Sequence, residues 1–346
     1  MAKAKYSALG DPKALRFLED AIQEADRGLL EASLAASTWN KLNSAKNNFD
    51  KFKCATACEA EMPYNVAMLC KYVSWALTQE SLKPSTVRSY LSAIKTTHKL
   101  RNMDCDTSNY LIQSLLKGAE NLSLYSQIVA GSRKVMTLQL LKLLGHQLTL
   151  TDWTNNSKKV IWAACVLAFF GSFRFGEILA KETDKFNPME TLLWSDVNFT
   201  SEKSVIIKVK LDKNRTPQGS YIDLFEFKGH NCCPITVLKG LKMDAISECN
   251  PVFQFKNGKL LNSKTLNSCI RELLQPIIGE HAQLISGHSF RAALPSAMAN
   301  DPIATKDTDI KQWGRWSSDS YLLYTRLKFK QKETLFKKIV DVLNKS

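Results

Sequence analysis

Gly287-His288-Ser289-Phe290-Arg291 places a histidine three residues before an arginine, late in the chain. If this stretch is helical, its first and fourth side chains project from one face. An imidazole and a guanidinium held in this way can both donate to phosphate oxygens, and the imidazole can also move a proton. Pro295 follows four residues after Arg291 and is predicted to end or kink the helix. The stretch therefore indicates an anion-handling site in a helical domain.

A second arginine lies upstream, in the stretch Gly171-Ser-Phe-Arg-Phe-Gly-Glu-Ile-Leu179. Arg174 directly follows an apolar run over residues 160–173, where an unpaired charge would be costly. Glu177 comes three residues later, and we expect it to hold the guanidinium from the same helical face. Guanidinium groups stay charged at any working pH and donate in a fork that matches phosphate oxygens. Arg174 and Arg291 are therefore candidate phosphate ligands.

Aromatic candidates come last in the chain. Gly314-Arg315-Trp316 is followed by Tyr321 and Tyr324. A tyrosine hydroxyl can act as a covalent nucleophile, although either tyrosine by itself is more often a core aromatic.

Length and charge restrict the class of protein. At 346 residues, the chain is long enough for two domains with separate cores. Hydrophobic residues make up 45% and charged residues 23%, which argues against broad disorder. Because 47 Lys and Arg face 33 Asp and Glu, the net charge is +14. A chain this basic favours a polyanionic partner, since neutralised phosphates release condensed counterions.

The cysteines and apolar segments exclude other classes. The nine cysteines form no C-x-x-C pair and no Cys/His cluster with zinc spacing, so we expect free thiols and no metal. The sequence after Met1 lacks the apolar core of a signal peptide. The longest apolar stretch, residues 160–170, is shorter than the roughly 20 residues that span a bilayer. An intracellular protein without a membrane partner is expected.

Hydrophobic spacing predicts a helical first domain over residues 1–120 and a linker over residues 121–134. The predicted helices cover 14–34, 38–52, 64–77 and 85–100. On the last of these, one basic face carries three candidate DNA-binding residues, namely Arg88, Lys95 and Lys99. A solvated basic face is the alternative interpretation.

The second domain, over residues 135–346, is predicted to begin with a helix over residues 138–144 and to contain a strand region. Residues 204–211 alternate partly between apolar and polar. Residues 221–225 are the predicted partner strand, after a polar turn. Four basic residues of this hairpin are candidates for DNA contact or catalysis, namely Lys208, Lys210, Lys213 and Arg215. From Ser263 onward the pattern is helical again, including an amphipathic tail over residues 328–346. The expected fold is mostly α with a small antiparallel sheet (α+β).

These motifs occur in the order found in the tyrosine recombinase (phage integrase-like) family, which the chain resembles. The order is Arg174-x-x-Glu177, a hairpin lysine, His288-x-x-Arg291, a His/Trp position and a late tyrosine. The segment 193–197 is also similar to the family's sequence after its first arginine. The string from Gly314 to Tyr324 resembles the crypton/DIRS-like branch of eukaryotic mobile elements. The helix from Ser85 is similar to the family's core-binding domain.

The resemblance implies a role for each motif. Tyr324 would attack the scissile phosphate and form a 3′-phosphotyrosyl enzyme, leaving a free 5′-hydroxyl. Arg174, His288 and Arg291 would bind the non-bridging oxygens, and Trp316 would pack or donate beside them. Retention of the bond energy in the phosphotyrosine makes ATP, metal ions and other cofactors unnecessary.

Two assignments stay open between neighbours. Lys210 is the preferred general acid, because it precedes the turn on a strand, and Lys213 is the alternative. The family often places its His/Trp residue nine before the tyrosine, which here is Arg315; Trp316 is eight before and is preferred on residue type. Tyr324 is preferred to Tyr321 because its context, Tyr-Thr-Arg, resembles that of the family.

The expected activity is site-specific cutting and rejoining of double-stranded DNA, with no small-molecule substrate. The resemblance further implies a homo-tetramer on two DNA sites, a mobile-element origin and a nuclear location. Two alternatives remain: DNA relaxation like that of a type IB topoisomerase, and a domesticated DNA-binding protein without catalysis.

Overall fold

The computed structural model describes residues 29, 32–59, 61–127, 134–210, 219–227, 231–299 and 307–315. The chain divides into two compact units, Met1–Ala130 and Gly131–Ser346. The predicted helix over residues 14–34 lies largely outside the described residues. Arg315 is the last described residue, so both late tyrosines and the predicted tail lie outside the described residues too. The assignment of the two units as core-binding and catalytic domains remains a prediction.

Four helices build the described part of the first unit. They are α1 (Ala36–Ala55), α2 (Val66–Thr78), α3 (Pro84–Leu100) and α4 (Tyr110–Gln127). Pro84 occupies the first turn of α3, where its missing N–H is not needed. Helix α4 runs through residues 121–127, so this part of the predicted linker is helical instead. The polar, small-residue composition there hid a continuing helix.

Aromatic side chains fill the core of the first unit. Phe49 of α1 stacks on Tyr64 with ring centroids 4.3 Å apart, and Tyr72 of α2 is completely buried. The Tyr72 hydroxyl donates to Asn48 Oδ1 at 2.7 Å, which satisfies the one polar group that this ring brings inside. Val87 and Leu91 of α3 complete the same core.

The second unit contains eight further helices in the described residues. They are α5 (Leu138–Leu150), α6 (Asn155–Phe170), α7 (Phe175–Ile178), α8 (Pro234–Lys242), α9 (Ser263–Ile278), α10 (Gly287–Arg291), α11 (Ala293–Ala299) and α12 (Asp307–Gly314). Two 3-10 turns cover Trp194–Asp196 and Gly279–Leu284. Thr137 begins α5 as predicted, because its hydroxyl accepts from the Leu140 N–H.

One antiparallel sheet has the order β1 (Val197–Ser201), β2 (Ser204–Val209) and β3 (Ser220–Phe225). The predicted hairpin is the β2–β3 pair, with Val205 opposite Leu224. Strand β1 was not predicted: apolar and polar residues alternate only over Val197 to Thr200, which is a short run for a strand signal. The mostly helical fold with a small antiparallel sheet is thereby confirmed.

Helix α6 forms the centre of the second unit. Every residue from Val160 to Phe169 except Trp162 is buried, which explains why the sequence is apolar around the whole helix. Residues of α5, α8, α9 and the sheet join the same core. The predicted break near Pro295 occurs at Ala292, and the proline lies in the first turn of α11.

Candidate functional site

The site begins in the tight turn that follows α6. Ser172 has a left-handed backbone, with a φ of +46°. At Gly171 an added Cβ would lie 2.0 Å from the ring of Phe173, so any larger residue would displace that buried ring. The turn therefore fixes where Arg174 leaves the core.

Arg174 lies at the N-cap of α7 with an extended backbone, one residue before the helix begins. The Glu177 carboxylate accepts from the Arg174 backbone N–H at 2.9 Å and from its Nη1 at 2.6 Å. Glu177 is 5% exposed, whereas the Arg174 side chain is 29% exposed. The predicted pairing exists, but as a helix cap and not as two positions on one helical face.

Arg291 is buried at the end of α10, where its guanidinium contacts three other segments. Nη1 donates to Ser172 O at 2.8 Å, and Nη2 donates to Gly314 O at 2.7 Å. Glu177 Oε2 lies 3.7 Å from Nη1. Arg291 thus ties α10 both to the turn after α6 and to the end of α12.

Close packing brings α10 to α7. An added Cβ on Gly287 would lie 2.9 Å from Phe175 Cγ, and the rings of Phe175 and Phe290 are 5.4 Å apart. Glycine at this position therefore allows the approach that places Arg291 beside Glu177.

Arg315 joins the same carboxylate from the end of α12. Its Nη2 donates to Glu177 Oε2 at 2.9 Å and lies 3.3 Å from Ser172 O. The guanidinium carbon is 5.2 Å from the centre of the Phe173 ring, within the range of a cation–π contact. The sequence indicated Arg315 only as an alternative to Trp316.

We call Arg174, Arg291 and Arg315, gathered around Glu177, the arginine cluster. Its three guanidinium groups face one carboxylate, so these four side chains carry two positive charges in excess. Fixed guanidinium donors with surplus charge suit a phosphate, whose negative charge grows when the phosphorus becomes five-coordinate. The cluster is the candidate anion-binding site.

His288 lies on α10 with Arg291, as predicted, but the two side chains differ in exposure. His288 is exposed and Arg291 is buried. The imidazole is therefore accessible from solvent at the start of the helix that carries Arg291.

Lys210 lies just beyond β2 and is held by acceptors other than the arginine cluster. Its Nζ is 2.5 Å from Asp196 Oδ2, and it donates to Pro188 O at 2.8 Å and to Thr191 O at 3.3 Å. The Lys210 side chain is 19% exposed and that of Asp196 is 6% exposed. These contacts assign Lys210 a structural role in this conformation; its role as general acid remains a prediction.

Arg88 of the first unit is bound within its own unit. Its Nε pairs with Glu120 at 3.0 Å, and its Nη1 donates to Gln113 at 2.6 Å. Since both partners lie on α4, Arg88 links α3 to α4. A phosphate bound here would have to use the guanidinium N–H groups that Glu120 and Gln113 do not already engage.

Within the described part of the chain, the other predicted DNA-binding residues make fewer contacts with protein side chains than Arg88 does. Lys95 Nζ lies 3.3 Å from Ser108 Oγ, and Lys99 is exposed at the end of α3. Lys208 points outward from β2 and is also exposed. Their contact with DNA remains a prediction.

The remaining predicted site residues lie outside the described part of the chain, namely Lys213, Arg215, Trp316 and Tyr324. Within the described ranges, no group of three or more His, Cys, Asp or Glu side chains is placed to hold a metal ion. None of the described helices is both long and apolar enough to cross a membrane.

Comparison by sequence yields no relative: no family model and no curated protein matches the chain. Comparison by structure finds similar solved structures. The chain is similar to XerH site-specific recombinase bound to palindromic difH substrate in a post-cleavage complex, with a TM-score of 0.61 and 12% identity, over 93% of this chain and 86% of that one. The pre-cleavage complex of XerH gives a TM-score of 0.58.

A second similar structure is the Tn1549 transposon integrase in complex with transposon right end DNA. Its TM-score is 0.54 at 10% identity, over 95% of this chain and 97% of that one. At these identities the likeness shows the fold, which is that of tyrosine recombinases and integrases. These structures do not show the crypton/DIRS-like branch, which remains a prediction from the sequence.

Proposed function

We propose that this protein is a DNA strand transferase of the tyrosine recombinase class, which cuts and rejoins DNA at specific sites. The observation that carries the proposal is the arginine cluster, in which Arg174 and Arg291 are fixed around Glu177 within a tyrosine recombinase fold. The two arginines are separated by more than a hundred residues, yet one carboxylate contacts both.

The reaction proceeds by two balanced exchanges at phosphorus. The Tyr324 hydroxyl oxygen bonds to the scissile phosphorus while the bond to the 5′-oxygen breaks. The tyrosine proton passes to solvent water, and the departing 5′-oxygen gains a proton from a hairpin lysine, Lys210 or Lys213. A 5′-hydroxyl of a second strand then displaces the tyrosine by the reverse steps.

The arginine cluster contributes by stabilising charge. Arg174 and Arg291 donate to the non-bridging oxygens, whose negative charge is largest when phosphorus is five-coordinate. Preorganised donors of this kind are usually a large catalytic term, about 100- to 1000-fold in rate for one donor. His288 donates from the exposed start of α10, and Trp316 packs beside the phosphate.

The finer parts of the proposal rest on the sequence resemblance. Double-stranded DNA is the partner, and the net charge of +14 supports it. The active form is a homo-tetramer on two DNA sites, encoded by a mobile element and acting in the nucleus.

The nucleophile is tested by trapping. Footprinting on DNA that flanks the gene identifies a binding site, and a nicked duplex carrying that site lets the cleaved strand diffuse away. We expect wild-type protein to accumulate a covalent adduct and Tyr324→Phe to form none, because its ring lacks the attacking oxygen.

Tyr321→Phe is the matched control and should keep the adduct. An adduct that persists in Tyr324→Phe and disappears in Tyr321→Phe would move the nucleophile to Tyr321. DNA binding without an adduct on any substrate would contradict catalysis, and relaxation of any supercoiled plasmid by a monomer would indicate a topoisomerase instead.

A further inference from the structure

A cavity of about 670 Å³ lies between α5, α6 and the residues that precede α8, and it shares no residue with the arginine cluster. Small-molecule sites in proteins have volumes of this order. Among the described residues that line the cavity, three are lysines and none is acidic. A ligand bound here is therefore expected to carry negative charge.

Helix α5 presents one strip of its surface to the cavity. Lys142, Gly145, His146 and Thr149 line it and follow one another at steps of three, one and three residues, which is the spacing of one helical face. Lys142 and His146 are exposed, and neither side chain has a hydrogen bond or ion pair among the described residues. Their N–H groups are thus available to the oxygens of a ligand.

The other two lysines of the cavity are already engaged by the protein. Lys158 Nζ donates to two carbonyl oxygens at the end of α5, at 2.7 and 3.1 Å. Lys159 Nζ pairs with Asp244 at 3.0 Å. Of the three lysines, Lys142 is therefore the one that can offer its whole ammonium group to an anion.

Trp162 supplies an aromatic wall of the cavity. It is the one residue of the stretch 160–169 that is not buried. Its Nε1 donates to Asn231 O at 3.1 Å, and an added Cβ on Gly145 would lie 2.7 Å from its Cη2. These contacts hold the ring in one orientation while it lines the cavity. A fixed, partly exposed indole is a stacking surface for a planar ring.

The pairing of this ring with a free ammonium indicates the chemical class of the ligand. A ligand with one planar ring and one anionic group uses both, whereas phosphate or an aliphatic acid would leave the indole unused. Nucleobases stack on indole rings regardless of their sequence. Asn231 lines the cavity and is exposed, and its amide offers both a donor and an acceptor to the edge of a base.

We propose that this cavity binds a mononucleotide unit, with the base stacked on Trp162 and the phosphate bound by Lys142 and His146. The unit is either a free nucleotide or an unpaired nucleotide of a DNA strand, since both present the same ring and phosphate. The inference goes beyond the proposed function and does not depend on it, because binding of a free nucleotide requires no strand transfer.

The test is isothermal titration calorimetry of the full chain with 2′-deoxyadenosine 5′-monophosphate and with its two parts, deoxyadenosine and ribose 5-phosphate. We expect the nucleotide to bind at least about 10-fold more tightly than either part, because only the nucleotide makes both contacts. Trp162→Leu should weaken nucleotide binding about 5- to 150-fold, to the level of ribose 5-phosphate. Lys142→Gln should weaken it about 5- to 10-fold and bring it towards that of deoxyadenosine.

Lys203→Gln is the control, since it removes an exposed charge from the turn between β1 and β2 and should bind as wild-type does. Phosphate held by the arginine cluster is separated from this site, because it should not respond to Trp162→Leu. Wild-type protein that binds the nucleotide no better than ribose 5-phosphate would overturn the inference. So would folded Trp162→Leu and Lys142→Gln proteins, checked by their melting temperatures, that keep the wild-type affinity.

Two DNA duplexes distinguish the sources of the nucleotide, one blunt and one with a single unpaired 5′ nucleotide. If Trp162→Leu weakens binding of the second duplex alone, a DNA strand supplies the unit; if it weakens neither, the site takes the free nucleotide. The two proposals can fail separately: absence of an adduct in wild-type protein contradicts the proposed function, while the nucleotide titration still decides this inference.

Discussion

At the scale of single residues, two buried carboxylates hold basic side chains in place through short ion pairs. Glu177 is 5% exposed and contacts three arginines, so its carboxylate offsets part of a concentrated positive charge. Asp196 does the same for Lys210, and its Oδ2 also accepts from the Leu193 N–H at 2.9 Å. Each of these two carboxylates therefore caps the backbone of a helix or turn and also forms an ion pair.

Lys210→Met separates the structural role of this lysine from the catalytic one. Removing one partner of a buried pair leaves the other charge uncompensated, which costs about 3–5 kcal/mol when both are fully buried. Since Lys210 is 19% exposed, we expect a loss at or below the lower end of that range, measured by urea unfolding.

Asp196→Asn provides the matched comparison, and the double variant should lose less than the sum of the two single losses. Unchanged stability in Lys210→Met, together with loss of adduct formation, would instead favour Lys210 as the general acid over Lys213.

At the scale of elements, the site depends on how closely short helices approach the turn after α6. Helices α7 and α10 have only four and five residues, so their own hydrogen bonds contribute little to their stability. Packing of Phe175 against Phe290, and the contact of Gly287 with Phe175, hold them in place.

Gly287→Ala is expected to disturb this packing. Its Cβ would lie 2.9 Å from Phe175 Cγ, so the ring or α10 must move. Overpacking of this kind costs about 1–3 kcal/mol of unfolding free energy. Because α10 carries Arg291, adduct formation should fall as well.

Gly240→Ala is the matched control on α8, where nothing lies within 4 Å of the added Cβ. It should stabilise the protein by about 0.5–1 kcal/mol, since alanine is the better helix former. Equal effects of the two substitutions on melting temperature would contradict the packing argument.

At the scale of the whole molecule, the two units have separate cores, and the first unit contains a buried histidine that makes its stability depend on pH. In the first unit His98 is buried, with Nδ1 2.8 Å from Ile94 O and Nε2 accepting from the Tyr64 N–H at 3.1 Å. A carbonyl only accepts and an amide N–H only donates, so the ring is neutral with its proton on Nδ1. Burial, aided by Arg101 and opposed by the bond to Ile94, lowers the pKa of His98 below 6.5.

This lowered pKa makes the first unit less stable in acid. Below pH 6.5 the unfolded chain binds the proton more readily than the folded one, so the stabilisation is complete above 6.5 and falls as the pH drops. The loss is at most about 1.4 kcal/mol per pH unit for one group. His98→Gln should be less stable than wild-type at neutral pH, and the difference should shrink in acid. Urea unfolding at about pH 7.5 and about pH 5 measures it, and a constant difference would contradict the assignment.

Much of the fold was predictable because it follows local patterns. Spacing of apolar residues predicted α2 and α3, and alternation predicted the β2–β3 pair. Strand β1 was missed because its alternation covers only four residues, and the end of α4 was missed because its composition is that of a linker. Strand β1 is held by its pairing with β2, which a local sequence pattern does not show.

The sequence by itself determined which charged and titratable groups the chain supplies. They are a basic chain, Arg174 with its Glu177, and a histidine and an arginine on one short helix. Only the tertiary structure decided which of these residues meet. It placed Arg315 on Glu177 across 138 residues, buried Arg291 against Ser172 and Gly314, and paired Lys210 with Asp196. The physical reason is that sequence spacing specifies neighbours within one helix or strand, whereas contacts between distant segments depend on packing that brings their ends together.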